Sequence, residues 1–174
     1  MSYKPFDLSG KVVLVTGGNG GIGLGMADAV AQSGADVAIW GTNEEKNKRV
    51  ADQLSAHGVK VYTRKVNVAE EGQVVDGIGA TVKELGRIDA VFANAGVGFG
   101  APSFVDMSTE VYRKTLAVNL DGVFWTRGKH RATWSSAPRR AMPVAHLSAL
   151  QALPPLKARR VTRPMRPPRA ASFR

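Results

Sequence analysis

Apolar residues recur along this chain in two alternating rhythms. Residues 11–16, KVVLVT, form a short β-branched run between Gly10 and Gly17 and predict a buried strand. The next stretch, GGNGGIGLGMADAVAQSG, passes from a glycine loop into helical spacing at Ile22, Met26 and Val30, with a stop at Gly34. A second strand is predicted over 35–40 (ADVAIW), and a polar-faced helix ending in glycine over 44–58. The same alternation predicts a third strand over 59–66 and a third helix over 70–86. A fourth strand over 87–96 runs into a turn, and a fourth helix covers 107–126. Strands that alternate with helices require parallel pairing, because each crossover must return over a face of the sheet. The expected fold is therefore α/β, a doubly wound parallel sheet of Rossmann type, with any ligand at the carboxyl ends of the strands.

The rhythm stops near Thr126, and composition changes with it. Residues 1–126 hold 12 Lys and Arg against all 14 Asp and Glu, a net of −2. Residues 127–174 hold the other 12 basic residues and no acid, together with seven of the nine prolines and one of the 19 glycines. The formal charge of +10 thus belongs to the tail and says nothing about the main domain. We expect residues 1–126 to form one Rossmann-type domain. Residues 127–174 read as a basic Arg/Pro/Ala-rich tail, mostly disordered, so that the C-terminal part of the fold is truncated or replaced. Arginines in such a tail would contact nucleic acid or other anions without specificity and with steep salt dependence. Trp134 and Phe173 are its only aromatics, so no stacking series for sequence-specific RNA recognition is present.

The absence of cysteine excludes disulfides and thiolate metal sites and fits a cytoplasmic chain. His57, His130 and His146 show no ligand spacing and read as surface or incidental residues, so no metal site is expected. No apolar run approaches membrane-spanning length, and MSYKPFDLSGK lacks the core of a signal peptide.

The chemistry begins in TGGNGGIG, residues 16–23. Gly17 permits a tight turn, Gly21 lets backbone approach a pyrophosphate, and Gly23 allows close helix–strand packing. The following helix offers free N–H groups and its positive dipole end to phosphate. This loop, Asn94-Ala95-Gly96 after the fourth strand and Asn119 in VNLDGVF together resemble the classical short-chain dehydrogenase/reductase family over about residues 7–126. The resemblance implies that Gly17, Asn19, Gly21, Ile22 and Gly23 cradle a nicotinamide dinucleotide. It places Asn67 and Val68 beside the adenine, where the family usually has Asp-Val. It sets Asn94, Ala95 and Gly96 along the ribose, and has Asn119 bend the fourth helix and hold a water in the proton relay. The end of the second strand reads Trp40-Gly41-Thr42-Asn43, with neither an acid for ribose hydroxyls nor an Arg for a 2′-phosphate. Gly41 and Thr42 are the candidates there, Lys46 and Lys48 could reach a 2′-phosphate, and the cofactor stays open between NAD and NADP. GVGFGAPSF (96–104) would form part of the substrate wall, with Phe99 and Phe104 on its apolar side.

Family chemistry, as the resemblance implies it, is hydride transfer between the nicotinamide and an unidentified carbonyl or alcohol substrate. A Ser orients the carbonyl, a Tyr moves the proton, and a Lys four residues later stabilises the phenolate of a group whose ordinary pKa is about 10. Here the tyrosines are Tyr3, Tyr62 and Tyr112, all upstream of Asn119, and no Tyr-x-x-x-Lys follows it. Ser148 lies beside a double proline at 154–155 with no phenol nearby. The tail's Arg/Pro/Ala bias is that of GC-rich DNA read in a wrong frame. With permissible codons joined one base out of register, it can spell SLAAIEGAARNEAYAATK. The Ser codon then straddles Gln151 and Ala152, the Tyr codon Pro164 and Met165, and the Lys codon Pro168 and Arg169. A frame slip near Thr126–Gly128 is therefore expected. The chain would be an oxidoreductase by descent, inactive as written; the alternative is a cofactor-binding protein, or one that binds anions through its tail. Loss of a fifth strand would leave the fourth at an edge, and loss of the family's fifth helix puts homo-oligomer assembly in doubt.

Overall fold

The computed structural model describes residues 6–98, 103 and 105–135. Its strands are β1 (Val12–Thr16), β2 (Asp36–Gly41), β3 (Val61–Lys65) and β4 (Ala90–Ala93), and they form a four-stranded sheet in the order β3-β2-β1-β4. All pairings are parallel, with Val13 opposite Val37 on one side and Ala90 on the other, and Val37 opposite Val61. The helices are α1 (Gly21–Gln32), α2 (Glu44–Ser55), α3 (Glu71–Leu85), α4 (Thr109–Leu116) and α5 (Gly122–Ser135).

Alternate residues of each strand feed two cores. Val13, Val15, Val37 and Ile39 pack with Ala27, Ala31, Val50 and Leu54 of α1 and α2. Leu14, Ala38, Trp40, Val91 and Ala93 pack on the opposite face with Val74 and Ile78 of α3 and with Val123 and Trp125 of α5. Burial on both faces is why β1 and β2 read as continuous apolar runs rather than as alternation, whereas β3 at the sheet's edge is only half-buried. The doubly wound α/β expectation holds. Because the chain leaves β1 in one direction for β2 and returns on its other side as β4, the order reverses between β1 and β4. In open α/β sheets it is at such a point, outside the carboxyl ends of the strands, that the ligand cleft lies.

Most element ends fall inside their expected limits: β4 covers Ala90–Ala93 rather than 87–96 and α2 stops at Ser55, while β2 runs one residue past 35–40 to Gly41. The larger difference lies beyond residue 107. Ser108 caps α4, its hydroxyl accepting from the Val111 N–H at 3.2 Å. The helix then passes through a π-helical segment, Ala117–Asp121, and continues as α5 past Thr126 to Ser135. The expected boundary at 126 thus falls inside a helix. Gly122, Thr126 and His130 are spaced to share its inward face, and all three are buried. His130 is therefore no surface histidine: its Nε2 donates to the Ile88 carbonyl at 3.0 Å. His57, in the turn after α2, pairs with Asp28 of α1 at 2.8 Å, and His146 lies outside the described residues. Among the described residues β4 is an edge strand, no helix is long and apolar enough to cross a membrane, and no cluster of ligating side chains is placed to hold a metal ion. On α4, the Lys114 ammonium hydrogen-bonded to Glu110 holds that carboxyl below its ordinary range.

Candidate cofactor site

The cleft is built on Thr16, the last residue of β1. Its hydroxyl accepts from the N–H groups of Asn94 and Ala95, both at 3.0 Å, and donates to the Phe92 carbonyl at 3.4 Å. One oxygen thereby fastens the end of β1 to the end of β4, using its full donor and acceptor capacity. Asn94, 3% exposed, returns the link by donating Nδ2 to the Thr16 carbonyl at 3.1 Å. Its Oδ1 is buried and has no partner among the described residues. Buried acceptors are seldom left unpaired, so this oxygen is a place for a donor from outside the chain.

Glycine is required in the loop for steric reasons. Gly17 has φ +65°, its N–H donates to the Trp40 carbonyl at 2.7 Å, and a Cβ there would lie 2.9 Å from Ala95 Cα. A Cβ on Gly23 would lie 2.3 Å from the Gly17 carbonyl oxygen, so α1 could not sit this close to β1 with any other residue. In front of Gly20 and Gly21 the space is open. There the first turn of α1 presents N–H groups with no intrahelical acceptor. Ile22 stands beside them, 62% exposed.

The remaining expected residues collect around the same opening, at the carboxyl ends of the strands. Trp40 turns away from it: the ring is fully buried against α3, and Nε1 donates to Thr81 Oγ1 at 3.1 Å. Gly41 is buried at the end of β2, whereas Thr42, Lys46 and Lys48 are exposed. Asn67 shapes the turn after β3, its Oδ1 accepting from the Ala69 N–H at 3.2 Å and its own N–H donating to Gln73 Oε1 at 2.9 Å. Val68 is a core residue, 5% exposed and packed against Gly122 of α5, so any contact it offers a ligand is through its backbone. Asn119 sits in the π-helical segment and clamps the peptide of Val97: Oδ1 accepts from its N–H at 2.8 Å and Nδ2 donates to its carbonyl at 2.9 Å. Ala95 and Gly96 lie between these two anchors, half-buried.

Two contributors escape a reading of the sequence. Thr16 belongs to the glycine motif but was not expected to join two strands; its position as the last strand residue before the loop was the available signal. Asn47, on a helix face that reads as solvated, is 3% exposed. Phe99 and Phe104, the expected apolar wall, lie outside the described residues, as do Ser148 and the basic residues beyond 135.

An open glycine corner, a free helix N-terminus, an unspent buried acceptor and an uncharged end to β2 fit a nicotinamide dinucleotide, NAD or NADP. Comparison with known proteins gives the same assignment. The family model for short chain dehydrogenases matches residues 11–135. Sorbose reductase of Schizosaccharomyces pombe is 33% identical over 123 residues, which cover 70% of this chain and 48% of that protein. Among solved structures, an NAD+-bound xylitol dehydrogenase superposes with a TM-score of 0.70 at 28% identity, over 72% of this chain and 48% of that one. The NADPH-dependent 3-quinuclidinone reductase of Rhodotorula rubra gives 0.69 at 34% identity, over 75% and 50%. The chain spans about half the length of the curated relatives it matches. With motif, topology and cleft in agreement, the chain belongs to the short-chain dehydrogenase family.

Proposed function

We propose that this chain carries the dinucleotide-binding part of a short-chain dehydrogenase and that its 174 residues alone do not turn a substrate over. Gly17, Asn19, Gly21, Ile22 and Gly23 would hold the pyrophosphate, and Gly41 and Thr42 the adenosine ribose. Asn67 and the backbone of Val68 would flank the adenine, and Asn94, Ala95 and Gly96 the second ribose. Asn119, through Val97, would keep that last segment in place. Bound there, NAD or NADP supplies hydride exchange at the nicotinamide for a carbonyl or alcohol. The phenol–ammonium pair that would move the accompanying proton is missing.

The tyrosines carry this reading. Tyr62 lies within β3 and Tyr112 on α4, and the residues four places on are Val66 and Leu116; Tyr3 is followed at that interval by Asp7. No Tyr-x-x-x-Lys exists in the chain. A slip of reading frame near Thr126–Gly128 accounts for the loss, and sequencing the encoding DNA tests it; codons that cannot spell Ser, Tyr and Lys in the shifted frame end that account.

For function, the purified chain of verified mass should quench or shift nicotinamide fluorescence on titration with NADH or NADPH. It should show no oxidation of either cofactor with sorbose and no reduction of NAD or NADP with xylitol, the pair that the relatives' names bring forward. Turnover that disappears in Asn119→Ala would overturn the claim of inactivity. Failure to bind either dinucleotide would overturn the claim of binding.

A further inference from the structure

Asn47 lies in the first turn of α2 beside the exposed Glu44, Glu45 and Lys46, yet it is 3% exposed. Its Nδ2 donates to the carbonyl of Gly41 at 3.1 Å and to that of Arg64 at 3.3 Å, so it ties the end of β2 to β3. Its Oδ1 accepts from Nδ2 of Asn19 at 2.7 Å. The same Asn19 nitrogen lies 3.5 Å from the Asn43 carbonyl. One buried carboxamide thus joins three separate pieces of chain: the glycine loop, the end of β2 and β3.

The joined pair occupies a particular volume. A Cβ on Gly41 would lie 2.2 Å from Asn19 Nδ2 and 2.7 Å from Asn47 Oδ1. The two amides therefore fill the space into which a side chain at the end of β2 would project. Open α/β dinucleotide sites use a carboxylate in this region to take ribose hydroxyls, or a guanidinium to take a 2′-phosphate. Here the region is closed by two uncharged amides, and Gly41 is the residue that makes room for them.

We propose that Asn47 is a positioning residue for the adenosine-ribose end of the site. It holds the Asn19 carboxamide over the end of β2 and keeps that end neutral, so that NADH and NADPH bind within about tenfold of each other. This rests on the dinucleotide reading above. On the neighbouring elements, Lys65 of β3 is paired with Glu44 of α2 at 3.3 Å, and Lys46 and Lys48 of α2 are exposed.

The test is a fluorescence titration of the full chain with NADH and with NADPH, with thermal melts to establish folding. In Asn47→Leu, which removes the bridge without adding charge, both affinities should fall by roughly tenfold. In Asn47→Asp a carboxylate enters beside the 2′ position, and NADPH should lose at least ~tenfold more than NADH. That change in ratio is one a purely structural role would not produce. Gly41→Ala leaves Asn47 unsubstituted but drives a methyl group into both amides of the Asn19–Asn47 pair; it should reproduce the loss seen with Leu, which decides the matter if Asn47→Leu does not fold. Unaltered NADH and NADPH binding in a folded Asn47→Leu or in Gly41→Ala would overturn the proposal, as would an unchanged ratio in Asn47→Asp. If the unsubstituted chain binds neither dinucleotide, the reading beneath it falls as well.

Discussion

Thr16 and Gly23 act on the site in opposite ways, one by what it bonds and the other by what it lacks. Replacing Thr16 with Val keeps the shape but removes the acceptor used by the Ala95 N–H and the second acceptor of the Asn94 N–H, both close to 3.0 Å. An amide left unpaired beside a buried strand end costs about 1–3 kcal/mol. Thr16→Val should therefore lower the unfolding free energy by that amount, read as a lower urea midpoint with the slope unchanged. Thr16→Ser keeps the oxygen and should recover most of the loss, apart from a methyl group worth about 1 kcal/mol. Gly23→Ala tests the other mode. In an exposed helix the exchange gains about 1 kcal/mol from propensity. Here the new Cβ meets the Gly17 carbonyl oxygen at 2.3 Å, a backbone atom that no rotamer change can move away. Overpacking of this kind costs about 1–3 kcal/mol or more, so the clash wins. It also displaces the loop itself, so Gly23→Ala should weaken NADH binding by at least ~tenfold, as read by titration. An affinity equal to that of the unsubstituted chain would show that the loop does not govern the site.

The helices are where sequence and structure part company. α5 approaches the end of β3 closely enough that a Cβ on Gly122 would lie 2.7 Å from Val68 Cγ2 and 3.2 Å from the Val68 carbonyl. Gly122→Val should destabilise by roughly 1–3 kcal/mol through overpacking, more than the few tenths it gains in helix propensity. A chemical melt measures this. A melt that does not shift would mean that α5 is not seated on the turn after β3. Strand and helix order was legible because buried parallel strands leave continuous apolar runs such as VVLVT and VAIW, and glycines mark the turns between them. After residue 107 the expected helix over 107–126 is present, but its π-helical segment and its continuation past Thr126 were not legible, for two physical reasons. A π-helical segment changes backbone pairing without changing side-chain type, so Ala117–Asp121 looks like any helix in sequence. The charge change after Thr126 reads as a boundary, but it does not oppose helix: the first proline beyond it is Pro138, and the helix runs to Ser135. At the site, the glycine loop was legible because only glycine meets its steric demands. Asn47 was hidden because an amide among charged neighbours on a polar-faced helix looks solvated until Gly41 and Arg64 are seen to offer it carbonyls.

For the whole molecule, the cleft depends on pieces far apart in the chain. The loop after β1, the end of β2, the turn after β3 and the segment after β4 meet only when the sheet has formed in the order β3-β2-β1-β4. The unfolded chain has no such meeting point, so a dinucleotide would bind the native state alone and stabilise it by mass action. At free cofactor about 100 times the dissociation constant, the gain is about 2.7 kcal/mol, and each further tenfold in cofactor adds about 1.4 kcal/mol. For a domain of this size that corresponds to a rise in Tm of several degrees, on the order of 2–8 °C per kcal/mol. The rise should grow with the logarithm of NADH or NADPH concentration. Tethering by Thr16 and Asn94 at one end and by Asn47 at the other makes the effect cooperative, so a scan with cofactor should keep one transition and move it as a whole. A melt that stays in place at millimolar NADH and NADPH would mean that the four strand ends do not form a binding site in solution. A melt that splits into two steps would mean that α4 and α5 unfold independently of the sheet.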